Sequence, residues 1–252
     1  MIRVEGLEVV YPGGNRALAA TTLAFQPGAF TVLLGASGAG KSTLLRSLNG
    51  LVRPTAGRVE ADGVGDIRRE LRAHRAATGM IFQQHQLIGR LTVLSNVLMG
   101  RLGHHSTLRS LLPLPRAEKL LALEAIGRVG LLDHALRRAD QLSGGQQQRV
   151  GIARALVQKP RLILADEPVA SLDPATADRV LGLLHGICRQ DRLTAVVSLH
   201  QLDFARRYAD RIVALAGGHV VFDGRPEMLT PDIVTRIYGA HPQPEPELEI
   251  AA

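Results

Sequence analysis

Two glycine-rich stretches of this 252-residue chain put backbone amides where an anion can reach them. Gly35-Ala36-Ser37-Gly38-Ala39-Gly40-Lys41-Ser42 follows the pattern G-x4-G-K-[ST]. It sits between a short apolar run, Thr31–Leu34, and an apolar helical pattern through Leu44, Leu45 and Leu48. That strand–loop–helix context predicts a phosphate cradle, with Lys41 on the β/γ oxygens and Ser42 as a ligand to Mg²⁺. The second stretch, Leu142-Ser143-Gly144-Gly145-Gln146, reads as a helix start. Ser143 is the N-cap, and the two glycines leave the backbone open to close approach. Gln146–Val157 then has a helical pattern, with Val150, Ile152, Ala153, Leu156 and Val157 on one face. A helix N-terminus of this kind offers free N–H groups and a positive dipole end to an anion.

Carboxylates follow. The apolar run Leu162–Ala165 ends in Asp166-Glu167-Pro168, where open α/β sheets bind their ligands. Asp166 can hold Mg²⁺, directly or through water. Glu167 can orient and deprotonate an attacking water. Asp173 before Pro174 forms a helix start and can be purely structural. His200 closes the run Thr194–Leu199 at the same edge, within reach of a phosphate oxygen. Tyr11, ahead of a glycine-rich turn, can stack on a base. Gln83, after Met80-Ile81-Phe82, carries no reading from spacing alone.

The elements that must position these residues are continuous apolar runs rather than alternating ones. Such runs suit strands of a parallel sheet buried on both faces. Helical patterns flank them, which gives an α/β class with a βαβ core. Ile2–Tyr11 opens an antiparallel hairpin. Ile212–Leu215 and Val220–Phe222, joined through Gly217-Gly218, close the sheet. From about Leu87 to Lys159 the pattern is helical only, including Arg116–Leu131, and reads as an inserted helical subdomain. Leu108–Pro115 reads as a loop or broken helix. Gly57–Ala77, with Arg68, Arg69, Arg72 and Arg75, reads as a solvated basic face. The tail His241–Ala252 reads as flexible.

The formal charge is +7, with 3% aromatic residues, no tryptophan and one cysteine, Cys188. A basic balance suits nucleic acid or an anionic membrane surface. The near absence of stacking aromatics argues against nucleic acid as a partner. One cysteine leaves no intrachain disulfide and no cysteine zinc site, and Cys188 reads as inert core. No secretory signal opens the chain, and no run approaches the ~20 apolar residues of a membrane helix. A cytoplasmic protein reaching a membrane only through partners is expected.

Taken together, these residues resemble the ATP-binding subunit of an ABC transporter, from Tyr11 to about Tyr238. The resemblance implies a P-loop NTPase fold: a RecA-like parallel core with an N-terminal antiparallel β subdomain and the inserted helical subdomain. Residues 1–240 would be one ATPase domain, with the core at about 1–86 and 159–240 and the helical part at about 87–158. It implies that Tyr11 stacks on adenine, that Gly35–Ser42 is the Walker A loop, and that Thr43 lies beside the α-phosphate. Gln83 becomes the Q-loop glutamine, touching Mg²⁺ and the attacking water. Leu142–Gln146 becomes the signature motif. Asp166 and Glu167 become the Walker B aspartate and catalytic glutamate, Ser171–Asp173 the D-loop, and His200 the switch histidine. ATP with Mg²⁺ would lie between two copies of the chain arranged head to tail. The pair would drive two transmembrane permease subunits at the cytoplasmic face of the inner membrane, served indirectly by a periplasmic binding protein. Ile81–His85, Asn96–Gly103, Ala139–Gln141, Asp166–Pro174 and Ser198–Arg211 look like the phosphonate-importer subfamily. The same motifs also fit an importer of phosphite, polar amino acids or methionine, or an accessory cassette in phosphonate breakdown.

Overall fold

Strand β1 (Ile2–Val10) buries Ile2, Val4, Leu7 and Val9, and the register slips at Gly6, whose φ is +53°. The computed structural model describes residues 1–83, 86–106 and 114–239. The expectations for Gln84, His85, 108–113 and the tail lie outside the described residues. β1 pairs antiparallel with β2 (Arg16–Phe25) and with β4 (Ala56–Ala61), which in turn pairs with the short β5 (Gly65–Asp66). The expected hairpin, β1–β2, therefore forms one side of a four-stranded sheet in the order β2-β1-β4-β5.

The second sheet adds β3 (Phe30–Leu34), β6 (Thr78–Ile81), β7 (Leu162–Ala165), β8 (Thr194–Ser198), β9 (Arg211–Ala216) and β10 (His219–Gly224), in the order β10-β9-β3-β8-β7-β6. All pairs are parallel except the closing β9–β10 hairpin. β3, β6, β7 and β8 are buried at every residue, as unbroken apolar strands covered on both faces must be. One hydrophobic cluster lies on each face of this sheet. Full burial of a leucine such as Leu34 or Leu164 contributes about 1.5–3 kcal/mol.

Helix α1 (Lys41–Leu48) follows β3, and α2 (Leu71–Ala76) leads into β6. Between β6 and β7 lie α3 (Val93–Leu98), α4 (Arg116–Arg128), α5 (Gly144–Leu156) and short 3₁₀ turns. The only strand-like pairing there among the described residues is a single Thr92–Arg138 bridge. α6 (Pro174–Gln190), α7 (Leu202–Tyr208) and α8 (Pro231–Tyr238) complete the chain. α6 starts as read, with Asp173 accepting from Thr176 N and Pro174 in the first turn. It buries Ala177, Val180, Leu181, Leu184, Ile187 and Cys188 at helical spacing. Burial drives the Cys188 thiol up to about 12, which keeps it protonated and inert.

Two readings need adjustment. α5 begins at Gly144, two residues before the expected Gln146, because the glycines already take helical geometry after the Ser143 cap. Residues 57–77 hold β4, β5 and α2 rather than an undivided face. Arg68, Arg69, Arg72 and Arg75 are exposed there, yet Arg68 pairs with Asp66 while Arg72 and Arg75 donate to the carbonyls of His105, Asn49 and Gly50. No described helix is long and apolar enough to cross a membrane.

Candidate functional site

The C-terminal ends of neighbouring parallel strands converge at one edge of the sheet. The glycine-rich loop leaves β3, Asp166 and Glu167 leave β7, His200 lies two residues past β8, and Gln83 lies two past β6. This is where open α/β sheets bind ligands.

The loop's glycines are required by its geometry. At Gly35, φ is +150° and an added Cβ would lie 2.4 Å from Leu215 O. At Gly40, φ is +103° and a Cβ would meet Ala17 O at 2.5 Å. The β9–β10 turn supports the loop from outside, since Gly218 N donates to Ala39 O and Gly218 O accepts from Ala19 N. Lys41 is 3% exposed, and its Nζ donates to Gly35 O at 2.7 Å and Ala36 O at 3.0 Å. Burial pushes the Lys41 ammonium below its usual range, while the carboxylates of Glu167 and then Asp166 push it back. Its ammonium is thus held under the loop that a phosphate chain would follow.

Ser42 Oγ donates to Asp166 Oδ1 at 2.7 Å, across 124 residues of sequence. Asp166 also accepts from Ser198 Oγ at 3.1 Å and from Arg46 at 3.4 Å. Ser42 and Asp166 bring together a hydroxyl and a carboxylate, the hard oxygen donors that suit Mg²⁺ when phosphate oxygens and waters complete the shell. Glu167 occupies the left-handed region at φ +47°, an arrangement that costs a non-glycine residue about 1–3 kcal/mol. Its N–H donates to Ser198 Oγ at 2.8 Å, and its Oε1 lies 2.5 Å from His200 Nε2. Thr43 is nearly buried beside Lys41, and its hydroxyl lies 3.4 Å from Tyr11 OH, so the half-exposed Tyr11 ring flanks the start of α1. Gln83 is exposed.

The second glycine-rich stretch forms a complete capping box. Ser143 Oγ accepts from Gln146 N, and Gln146 Oε1 accepts from Ser143 N at 2.9 Å. Leu142 is buried while Ser143 and Gly144 are exposed. A Cβ at Gly145 would lie 2.5 Å from Thr176 Cγ2, so this helix start packs tightly on the first turn of α6 next to Asp173. A hydrogen bond from Thr176 holds the exposed Asp173 carboxyl below its usual range. Among the described residues no hydrogen bond joins 142–146 to 35–43. The structure therefore gathers 35–43, Asp166, Glu167, His200 and Tyr11 into one site and sets 142–146 apart with Asp173. Sequence reading assigned no role to Ser198, Arg46 or Tyr238, whose hydroxyl donates to His200 O at 3.0 Å.

Three comparisons bear on this arrangement. A family model described as "ABC transporter" matches residues 18–170. The phosphite import ATP-binding protein PxtA of Stutzerimonas stutzeri is 61% identical over 248 residues, covering 98% of this chain and 90% of that protein. The phosphonates import ATP-binding protein PhnC 3 of a Nostoc species is 60% identical over 241 residues, covering 95% and 92%. Among solved structures, the dimeric post-hydrolysis state of the ATP-binding cassette MJ0796, bound to ADP and Pi, aligns with a TM-score of 0.78. It is 34% identical, and the alignment covers 90% of this chain and 99% of that one. Matched by the family model over more than half its length and by these relatives over nearly all of it, the chain belongs to the ABC transporter family and is one of its nucleotide-binding ATPases.

Proposed function

We propose that the chain is the energy-coupling ATPase of an importer for phosphonates. The observation that carries this reading is the joining of Ser42, Asp166, Glu167 and His200 at one sheet edge, in a chain about as similar to phosphonate-import as to phosphite-import ATP-binding proteins. In this reading residues 1–240 form one cassette, with the helices of about 87–158 as its signature subdomain. It attaches peripherally to the cytoplasmic face of the inner membrane through two permease subunits. A periplasmic binding protein acts indirectly, and nucleic acid is no partner.

ATP lies with adenine on Tyr11 and its phosphates in 35–43. The amides of Gly38–Thr43 and the Lys41 ammonium neutralise the β/γ oxygens. Ser42, Asp166 and Gln83 would hold Mg²⁺, which supplies charge neutralisation on the transferred phosphoryl. Glu167 accepts a proton from the attacking water, and His200 holds that carboxylate and meets the γ-phosphate. The γ-phosphate of each ATP meets Ser143, Gly144, Gly145 and Gln146 of a second copy, with Leu142 buried beneath them and Asp173 beside them. Pairing is then conditional on nucleotide, and hydrolysis releases it.

Lys41→Ala is expected to weaken ATP binding by about 10- to 100-fold, the loss of one or two charge-assisted hydrogen bonds. Equilibrium titration with a fluorescent ATP analogue reads this, and unchanged affinity would remove Lys41 from the phosphate site. For the cargo, a strain deleted for this chain should lose growth on methylphosphonate as sole phosphorus source and regain it with the gene. Loss of growth on phosphite alone would move the cargo to phosphite, and loss on neither would overturn the importer reading.

A further inference from the structure

Ser198 is fully buried at the last position of β8, and its single hydroxyl serves two residues of the neighbouring strand's end. Oγ accepts from Glu167 N at 2.8 Å and donates to Asp166 Oδ1 at 3.1 Å. A serine hydroxyl has one proton and two lone pairs, so both bonds form at once. β7 and β8 pair in parallel register with Ala165 opposite Val197, which places Ser198 level with Asp166. The next residue, Glu167, turns into the left-handed region at φ +47°. A non-glycine residue keeps that conformation only where its surroundings hold it. Two side-chain contacts hold it here: Ser198 on its N–H, and His200 Nε2 on its Oε1. Both come from one three-residue segment, 198–200, whose middle N–H is tied to Leu33 O.

We propose that Ser198 is a positioning residue for hydrolysis: its hydroxyl fixes the Glu167 backbone so that the carboxylate reaches His200 and the attacking water, and orients Asp166 toward Ser42. This rests on the reading of Glu167 as the base. The hydroxyl is fully buried and bonds Glu167 N and Asp166 Oδ1, so its removal is expected to act on the chemical step and largely spare ATP binding.

The test compares Ser198→Ala and Ser198→Thr in the full chain. Ser198→Ala is expected to lower kcat by about 10- to 100-fold, the scale of a small misplacement of a reacting group. ATP affinity should stay within about threefold, since ground-state binding is untouched. Amide hydrogen exchange in the peptide containing Glu167 should speed up as its N–H loses the Oγ partner. Ser198→Thr should restore most of kcat and the slow exchange. In a Glu167→Gln background, Ser198→Ala should add no further loss of residual turnover. Unchanged kcat and exchange in Ser198→Ala overturn the proposal, as does a kcat loss matched by equal loss of ATP affinity or of melting temperature. Should Ser198→Ala not fold, Ser198→Cys, which fills the site with a weakly hydrogen-bonding thiol, must show the same split; wild-type kcat in that variant overturns it. Glu167→Gln measured in parallel separates the two failures. If that variant hydrolyses normally, the reading of Glu167 falls; if only Ser198→Ala does, the positioning role falls alone.

Discussion

Glu167→Gln is expected to keep ATP binding, lose turnover by about 10²- to 10⁴-fold, and accumulate as a nucleotide-bound pair. Three features make the substitution clean. Glutamine has the same length, so the side chain still reaches His200, and its amide oxygen can accept from Nε2. The backbone N–H stays on Ser198 Oγ, so the left-handed turn after β7 is retained. Lys41, Ser42 and the loop amides are untouched, so phosphate binding persists. What disappears is the basic oxygen that, in the proposed reaction, takes the proton of the attacking water. If hydrolysis reopens the pair, a variant that binds without hydrolysing must stay closed. Phosphate release and size-exclusion chromatography with ATP read the two effects together. Near-normal hydrolysis would remove Glu167 as the base. Lost hydrolysis without pairing would keep the base and break the link between hydrolysis and reopening.

The parts of this site legible in the sequence are those whose signal is local. Gly35–Ser42 declares itself because the backbone conformation and close contacts at Gly35 and Gly40 leave room for no other residue. β3, β7 and β8 were readable because strands buried on both faces are unbroken apolar runs. β4 was not, since Ala-Gly-Arg-Val-Glu-Ala buries one residue of six and owes its form to pairing with β1. Ser198 and Arg46 were invisible as site residues for a different reason. Their contacts with Asp166 span 32 and 120 residues, and depend on β8 lying beside β7 and on α1 facing β7. Strand order is not written in any one strand. Gln83 shows the converse: spacing alone suggested no role, and the fold places it two residues past β6, at the same sheet edge, while leaving it exposed.

Ser143→Arg is expected to leave ATP binding to a single copy nearly intact and to abolish ATP-driven pairing and turnover. Ser143 is exposed at the N-terminus of α5, on a stretch with no hydrogen bond to 35–43 of its own chain. A long cation there cannot disturb the Lys41 site directly, but in the proposed pair it fills the surface that a second copy's γ-phosphate would approach. The substitution also deletes a cap, and losing the Ser143 bond to Gln146 N costs about 1 kcal/mol of helix stability. Ser143→Ala separates the two effects, because it removes the cap without adding bulk. Ser143→Ala should therefore lower the melting temperature about as much as Ser143→Arg and retain ATP-dependent pairing, while Ser143→Arg should remain a single copy with ATP bound. Mixing copies makes the test sharper. If the site is shared, a Ser143→Arg copy combined with a Lys41→Ala copy still contains one intact composite site, built from residues 35–43 of the first and 142–146 of the second. Hydrolysis recovered on mixing would require the active site to be shared between chains. If Ser143→Arg alone pairs and hydrolyses like the unmodified chain, the shared site is wrong and each copy must hydrolyse ATP with 35–43, Asp166 and Glu167 unaided.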